Sequence, residues 1–302
     1  MRTGFHTVER GLREEFPLRL YQKAKRLFWD PATLDFQQDR ATFQNLPPEG
    51  QDLVLRLASL FLGGEEAVTL DLLPLLQAVT LDLLPLLQAV AREGRVEEEM
   101  YLTTFLLEEA KHVEFFARFL AEVGGQKGNL ARYHGPHYRR IFQEILPESM
   151  ERLWQDGSPE AQVEAALTYN VVVEGVLAET GYQGFYRLTE RLEAAGQAMP
   201  GTLVGIRNVQ RDESRHIAYG LYLISRHLGE HPGLWRRVEG RLALLLPEAM
   251  GVVGELFAAY PEGAPLGLSP EEFFAYASGQ FQARMRLLEK ARAVGTAALE
   301  DL

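Results

Sequence analysis

Two short segments decide the fold of this chain: Glu108-Glu109-Ala110-Lys111-His112 and Asp212-Glu213-Ser214-Arg215-His216. Each places a glutamate and a histidine three residues apart within an amphipathic helical pattern, so both side chains project from one face and can bind one metal ion. A single Glu-x-x-His segment is common by chance and usually marks a solvated helix surface. Two of them, 104 residues apart on separate predicted helices, indicate a paired metal site.

Such a site needs one further carboxylate from each of two other helices, and two candidates stand in apolar sequence. Glu174 lies within residues 171–177 (VVVEGVL), where an ionised carboxylate is costly unless a cation neutralises it. Glu65 borders a similar apolar stretch. Two alternatives remain open: Glu174 could pair with an arginine, and Glu65 could be an exposed helix residue. Glu66 and Glu179 are nearby substitutes.

The order along the chain is glutamate, Glu-x-x-His, glutamate, Glu-x-x-His, which distributes six candidate ligands over four predicted helices. Four carboxylates and two imidazoles suit iron or manganese and leave coordination positions open for dioxygen. The candidate metal ligands are Glu65, Glu109, His112, Glu174, Glu213 and His216. Four other histidines fall near turns or helix ends, where we expect solvated positions: His134, His137, His227 and His231.

The periodicity of apolar residues predicts a chain that is nearly all helix, with no strand region. Breaks fall at glycine or proline clusters, and Ser158 before Pro159 is a candidate N-cap. No linker is long or low in complexity, so we expect a single domain spanning residues 1–302. The predicted helices cover residues 18–28, 49–92, 96–123, 137–155, 159–194, 202–229, 234–259 and 269–294.

An exact tandem repeat lies within the second predicted helix: the eleven residues 67–77, AVTLDLLPLLQ, recur as residues 78–88. Eleven residues make three helical turns plus roughly 20°, so the copy keeps the apolar face. Because the repeat is exact, it indicates a recent duplication rather than a functional repeat array. The insertion places Glu65 29 residues before Gly94, and Glu109 only 15 after it. Two straight antiparallel helices would not bring these carboxylates level, so we expect a kink, a bulge or an overhang.

The net charge of −11 and the lack of cysteine narrow the possible partners and cofactors. No lysine or arginine run offers a basic face, which argues against a nucleic-acid partner. Without cysteine there is no disulfide, zinc-thiolate site or iron-sulfur cluster, so oxygen and imidazole ligands remain. The first residues lack the apolar core of a signal peptide, and no apolar run reaches the roughly 18 residues of a bilayer span. We therefore expect a cytoplasmic protein with no membrane span.

The motif order, together with Trp29-Asp30-Pro31 and with Asp212 directly before Glu213, resembles the small subunit of ribonucleotide reductase and its relatives. The resemblance covers the chain from residue 17 to residue 290. Within that group the sequence is most similar to the ligand-binding oxidase branch. That similarity rests on three segments: residues 64–71 (GEEAVTLD), residues 108–112 (EEAKH), and Tyr169-Asn170 before residues 173–175 (VEG).

The resemblance implies a ferritin-like four-helix bundle core with additional helices, which holds either one manganese and one iron ion or two iron ions. It also implies that the protein activates dioxygen, binds a long-chain fatty acid or a similar apolar carboxylate at the metals, and forms a homodimer. Members of the oxidase branch join a tyrosine to a valine by an ether bond, and the matching residues are Tyr169 and Val68. The chain that carries electrons to the metals in reductase small subunits is matched by Trp29, Asp212 and His112.

Helical spacing supports one member of the cross-linking pair better than the other. Val68 lies three residues after Glu65 and so on the same helical face, whereas Val79, its copy in the repeat, lacks the preceding Gly-Glu-Glu. Tyr169 lies five residues before Glu174, which is roughly 140° around an ideal helix. Its phenol therefore reaches the metals only through its length or through a local helix irregularity.

Other functions stay open within the same fold. A reductase small subunit would store an oxidising equivalent for a partner, but Phe116 stands where tyrosyl-radical members have a tyrosine, which leaves metal-based storage. A ferritin-like metal-binding protein without turnover would bind many irons per chain, whereas an oxidase would bind two. A helical bundle without metal is the remaining alternative.

Overall fold

The computed structural model describes residues 6–69, 83–125 and 129–299. Within these ranges the chain forms eleven main helices and no strand, which confirms the all-α prediction. Two of these helices, α1 and α3, were not predicted from the sequence. The helices are α1 (His6–Arg10), α2 (Phe16–Arg26), α3 (Gln37–Asn45), α4 (Pro48–Thr69), α5 (Leu83–Arg92), α6 (Val96–Glu122), α7 (136–151), α8 (159–194), α9 (Pro200–Glu230), α10 (Trp235–Ala258) and α11 (Pro270–Val294).

Two of these helices contain a π-helical segment, in which backbone hydrogen bonds join residue i to residue i+5. One is Arg140–Ile145 in α7, and the other is Leu167–Ala178 in α8. The second is twelve residues long and lies between α-helical turns on both sides. A helix irregularity is therefore present around Tyr169, which is one of the two ways in which its phenol was expected to reach the metals.

The four helices α4, α6, α8 and α9 form the core of the molecule. α4 packs along α6, and α9 packs against both α6 and the π-helical segment of α8. The C-terminal part of α8 returns to α4 and closes the bundle, while α2 covers α6, and α10 and α11 cover α8. The predicted ferritin-like core of four helices with additional helices is confirmed.

The interior of the bundle consists of two apolar clusters with a polar layer between them. Along α6, Tyr101 and Phe105 belong to the first cluster, and Phe116 and Phe119 belong to the second. The stretch between them carries the first Glu-x-x-His segment. Burial of apolar surface stabilises a fold by roughly 25 cal/mol per Å², so the two clusters offset the cost of a buried polar layer.

Capping residues fix the start of the two helices that carry the later ligands. The buried carboxylate of Asp39 accepts hydrogen bonds from the backbone N–H groups of Gly201 (3.0 Å) and Thr202 (2.6 Å), at the first turn of α9. These donors have no partner within the helix. Gly201 is required there because a Cβ would lie 2.3 Å from the carbonyl oxygen of Asp35. The side chain of Ser158 caps α8, as predicted.

The eleven-residue repeat lies largely outside the described residues, because α4 is described to Thr69 and α5 from Leu83. The kink, bulge or overhang that the sequence predicts would lie in that stretch, so it stays a prediction. A single domain over residues 1–302 stays a prediction. Among the described helices, none combines the length and the apolar character that a bilayer span requires.

Candidate metal centre

All six predicted ligand side chains meet in the polar layer between the two apolar clusters, and all six are buried. Their oxygen and nitrogen atoms form two groups, and the atoms of each group lie within 4.8 Å of one another. Glu109 and Glu213 belong to both groups. The other members are Glu65 and His112 in the first group and Glu174 and His216 in the second. Two adjoining groups that share two carboxylates can hold two metal ions side by side.

His112, on α6, faces three of the carboxylates through one ring nitrogen. Its Nδ1 lies 3.6 Å from Glu65 Oε2, 3.9 Å from Glu109 Oε2 and 3.3 Å from Glu213 Oε1. The other ring nitrogen, Nε2, lies 3.5 Å from Oδ2 of Asp212. A carboxylate at this position orients the imidazole ring and leaves its Nδ1 for the metal.

His216, on α9, repeats this arrangement with a different acid. Its Nδ1 lies 3.0 Å from Glu109 Oε1 and 3.2 Å from Glu174 Oε1, and its Nε2 lies 3.0 Å from Oε2 of Glu108. This role of Glu108 was not predicted from the sequence. The signal was present, because both motif segments place an acidic residue directly before the candidate ligand glutamate. In the structure, each of these acids serves the histidine of the other segment.

Asp212 is the centre of a buried hydrogen-bond network. Its Oδ2 accepts hydrogen bonds from Trp29 Nε1 at 2.7 Å and from Lys111 Nζ at 2.9 Å. Arg215 donates to Oδ1 of Asp212 at 2.6 Å and also to Glu108, so it joins the two outer acids. Burial raises the pKa of Asp212, but the adjacent imidazole of His112 and the charge of Lys111 outweigh it and hold that pKa far below its ordinary value.

The carboxylates of the polar layer influence one another's ionisation. Burial raises the pKa of Glu65 and of Glu174 well above the ordinary value, and neighbouring carboxylates raise it further. Burial also raises the pKa of Glu213, but the adjacent imidazoles of His112 and His216 outweigh it and lower that pKa to about 2. Cations in this layer would stabilise all of the carboxylates in their ionised form.

Several buried polar atoms of the layer have no hydrogen-bond partner. They include Nδ1 of His112, Oε1 of Glu109 and Oε2 of Glu213. A buried polar atom without a partner costs about 1–3 kcal/mol, and a metal ion bound among them would remove that cost. Oxygen and imidazole donors are those that iron and manganese accept. The residues present therefore fit a dinuclear centre of manganese and iron or of two irons.

The positions of Glu65 and Glu174 can be compared with the alternatives that the sequence left open. Glu65 is 7% exposed and Glu174 is 3% exposed, and both lie among the candidate ligands. Glu174 accepts a hydrogen bond from Asn170 Nδ2 at 2.7 Å, which fixes the carboxylate from within α8. Glu179 lies outside both groups and accepts hydrogen bonds from other residues. The side chain of Glu66 lies outside the described residues.

Of the pair that the resemblance predicts to be cross-linked, the structure describes the side chain of Tyr169 but not that of Val68. Tyr169 lies in the π-helical segment, where the i to i+5 hydrogen-bond pattern brings it towards the face of Glu174. Its side chain is buried, its hydroxyl has no hydrogen-bond partner, and it lines the same cavity as the four candidate ligand carboxylates. Val68 lies in α4, one turn from Glu65. The side chain of Val68 lies outside the described residues.

An apolar cavity of about 770 Å³, its mouth included, adjoins the polar layer. Its polar end is formed by Tyr169 and by the carboxylates of Glu65, Glu109, Glu174 and Glu213. Its walls include Leu57, Phe61, Val173, Leu177, Val252 and Leu256. A cavity with apolar walls and a few convergent polar groups is typical of a small-molecule site.

The expectation of solvated positions is met at two of the four remaining histidines, only partly at His134, which is half-buried, and not at His227. His137 and His231 are exposed as predicted, but His227 is only 1% exposed and its Nε2 lies 3.1 Å from Oε1 of Gln162. Its place in the last turn of α9 suggested solvent contact. The first part of α8 packs against α9 and covers it, which the position in the sequence does not reveal.

Comparison with known proteins gives consistent matches. Residues 12–276 match the family model described as ribonucleotide reductase, small chain. The chain is similar to a solved R2-like ligand-binding oxidase with an aerobically reconstituted Mn/Fe cofactor, at 38% identity and a TM-score of 0.86, over 95% of this chain and 97% of that chain. A variant of such an oxidase with an aerobically reconstituted Fe/Fe cofactor matches at 37% identity and a TM-score of 0.86, over 95% and 98% of the two chains.

Proposed function

The chain belongs to the family of ribonucleotide reductase small chains, and from this premise we propose that it is a dioxygen-activating oxidase that binds a long-chain fatty acid. Its similarity to R2-like ligand-binding oxidases supports a di-metal oxidoreductase with a Mn/Fe or a two-iron cofactor. One observation carries the proposal most strongly. Two metal-binding groups that share Glu109 and Glu213 lie at the polar end of an apolar cavity.

The metal pair would be held by the six side chains of the polar layer. When bound, the pair supplies the electrons and the Lewis acidity with which dioxygen is reduced. Asp212 and Glu108 each lie beside Nε2 of one histidine, so they orient the two imidazoles. The apolar clusters on both sides exclude water from the reacting atoms.

The hydrocarbon tail and the carboxylate of a long-chain fatty acid each match one part of the cavity. The apolar walls can bury a hydrocarbon tail, which contributes about 0.8 kcal/mol for each buried CH₂ group. The carboxylate of the ligand would meet the four carboxylates at the polar end, and like charges repel. Only metal ions between them convert this repulsion into attraction. We therefore propose that fatty-acid binding depends on the metals.

The oxidase activity would join Tyr169 to Val68 by an ether bond. The phenolic oxygen of Tyr169 bonds to the β-carbon of Val68, and one hydrogen leaves each of these atoms. Dioxygen takes up the two protons and two electrons and becomes hydrogen peroxide. If the metal pair adds two further electrons and solvent adds two further protons, the product is two water molecules. The support for this step is the position of Tyr169 at the polar end of the cavity.

Binding of hexadecanoate to metal-free and metal-loaded protein tests the proposed function. We expect binding only with metals present, and we expect hexadecanol, which lacks the carboxylate, to show no such dependence. Val252→Trp should fill the cavity and weaken binding while two metals remain bound. Equal binding of hexadecanoate with and without metals, or no binding in either state, would count against the oxidase branch. A ferritin-like store would instead accumulate many irons per chain in air.

A second candidate, a reductase small subunit with metal-based radical storage, is favoured by one feature. Trp29, Asp212 and His112 form a continuous contact chain, with distances of 2.7 Å and 3.5 Å between their polar atoms. A reductase small subunit would keep its oxidised metals until a partner reduces them and would release no fatty acid on solvent extraction. The homodimer implied by the resemblance stays a prediction, which light scattering can test.

A further inference from the structure

A second buried polar pair lies in the first apolar cluster, outside the candidate metal ligands. Tyr219 is fully buried, and its hydroxyl donates a hydrogen bond to Oε2 of Glu98 at 3.0 Å. Glu98 is itself only 2% exposed. Three other tyrosines buried to the same degree in the described chain, Tyr101, Tyr169 and Tyr182, have hydroxyls without a hydrogen-bond partner. Tyr219 therefore differs from them in having a carboxylate acceptor.

Aromatic rings connect this pair with the metal-binding layer. Phe105 stacks on His216 with ring centroids 3.5 Å apart, and the ring of Tyr101 lies 6.1 Å from that of Phe105. The ring of Tyr219 lies 5.1 Å from that of Tyr101. Tyr219 also follows His216 by three residues on α9, so both project from the same face. Contacts between successive rings provide a short path for an electron.

We propose that Tyr219 is a redox-active tyrosine, which gives one electron to the oxidised metal centre while its phenolic proton passes to Glu98. This inference rests on the proposed function, because the oxidant is the metal pair after its reaction with dioxygen. The step balances. The phenol loses one electron and one proton and becomes a neutral phenoxyl radical, the centre is reduced by one electron, and the carboxylate of Glu98 is protonated.

The proton acceptor determines which tyrosine keeps the radical. A phenol that has lost an electron becomes a strong acid, so a stable radical needs a base within hydrogen-bond distance. The hydroxyl of Tyr101 has no such partner, so we infer that Tyr101 transmits the electron and Tyr219 holds the radical. This electron source is separate from Tyr169 and from the path through Trp29.

Glu98 can serve as this base in neutral solution. Burial raises its pKa to about 7, against the lowering charges of Arg226 and Arg95 and the hydrogen bond from Tyr219, while the charge of Glu93 raises it. The guanidinium nitrogens Nε of Arg226 and of Arg95 both lie 3.6 Å from Oε1 of Glu98. These two guanidinium groups favour the ionised carboxylate of Glu98, which can accept a proton.

Electron paramagnetic resonance of freeze-quenched samples tests the inference. The protein is loaded anaerobically with ferrous iron, mixed with dioxygen and frozen at successive times, and the Tyr169→Phe variant is treated in the same way to remove the competing phenol. We expect a phenoxyl signal that changes when ring-deuterated tyrosine is incorporated and that is lost in Tyr219→Phe. Tyr222→Phe, on the same helix, is the matched control and should keep the signal. Glu98→Gln should retain oxidised iron but lower the radical yield.

The outcomes separate this inference from the proposed function, because Mössbauer spectra of the same samples report the iron independently. Oxidised iron with no phenoxyl signal, or with a signal undiminished in Tyr219→Phe, overturns the role of Tyr219. Iron that stays ferrous in air would reject the proposed function instead. In that case flash oxidation of the same protein by a photoexcited ruthenium complex decides the inference. A Tyr219-dependent radical supports it, and a radical yield that does not depend on Tyr219 overturns it.

Discussion

The two Glu-x-x-His segments present nearly the same groups to the centre of the bundle but differ in what surrounds them. Each histidine directs Nδ1 to the shared carboxylates and Nε2 to an acid from the other segment. The acid beside His112 is Asp212, which accepts hydrogen bonds from Trp29, Lys111 and Arg215. The acid beside His216 is Glu108, whose one charged donor among the described residues is Arg215.

The inner ligands and the outer hydrogen bonds therefore have separate roles. The inner set is nearly symmetric, so it supplies two similar metal positions. The outer set is not symmetric, so the two positions differ in charge and in connection to the rest of the molecule. Such a difference is what a heterodinuclear pair requires, because equal positions would not distinguish manganese from iron. Outer partners influence metal affinity strongly even though they do not touch the metal.

The largest effect should come from removing a shared ligand rather than an unshared one. Glu109 belongs to both metal groups, whereas His216 belongs to one. We expect Glu109→Ala to remove most of both metals and His216→Ala to lower occupancy well below two, with the loss mainly at one position. Native mass spectrometry gives the metal count. Glu114→Ala, at an exposed position of the same helix, should keep two metals. Full occupancy in both ligand variants would reject the site.

An intermediate effect should come from neutralising the outer acids. Asp212→Asn and Glu108→Gln keep the size of each side chain but remove its charge. Each should lower metal affinity by roughly 10- to 100-fold, with the larger loss for Asp212→Asn because more charged donors depend on that carboxylate. Anaerobic titration with manganese and iron measures the two affinities. Equal losses in the two variants would show that the outer asymmetry has no energetic consequence.

The smallest effect should come from Trp29, whose hydrogen bond reaches the outer acid of His112 and none of the candidate ligands. Trp29→Phe removes the hydrogen bond to Asp212, and Asp212 keeps Lys111 and Arg215 as donors. We expect a loss of about 1 kcal/mol in the free energy of unfolding with two metals still bound, and slower reduction of the oxidised centre. Denaturant unfolding and stopped-flow reduction measure these quantities. A loss of metal would mean that Trp29 supports the ligands directly.

Most of the inner site, which consists of the six candidate ligands, could be predicted from the sequence. Helical periodicity determines which residues share a face. The pairs at spacing three, such as Glu109 with His112, follow from a regular helix. An ionisable residue in an apolar stretch, such as Glu174, is also recognisable, because its burial needs a compensating partner. These signals are local, and the structure brings the side chains together as they indicate.

The outer site, which consists of the residues around the candidate ligands, could not be predicted to the same extent. It depends on contacts between distant segments. Glu108 lies on α6 but contacts His216 on α9. This contact depends on how far α6 and α9 are shifted along each other, and residue spacing within one segment does not reveal that shift. The π-helical segment around Tyr169 depends on hydrogen bonds that apolar periodicity does not reveal. The burial of His227 depends in the same way on how α8 packs against α9.

We propose that the six candidate ligands of the polar layer hold a metal pair that oxidises the protein at Tyr169. The most direct test is the mass of peptides from protein that was loaded anaerobically with manganese and iron and then exposed to air. We expect one branched peptide that contains Tyr169 and Val68 and is lighter by two hydrogens than the sum of its parts. It should be absent without metal, without dioxygen or in Tyr169→Phe. Two linear peptides from fully metallated, air-exposed protein would contradict it.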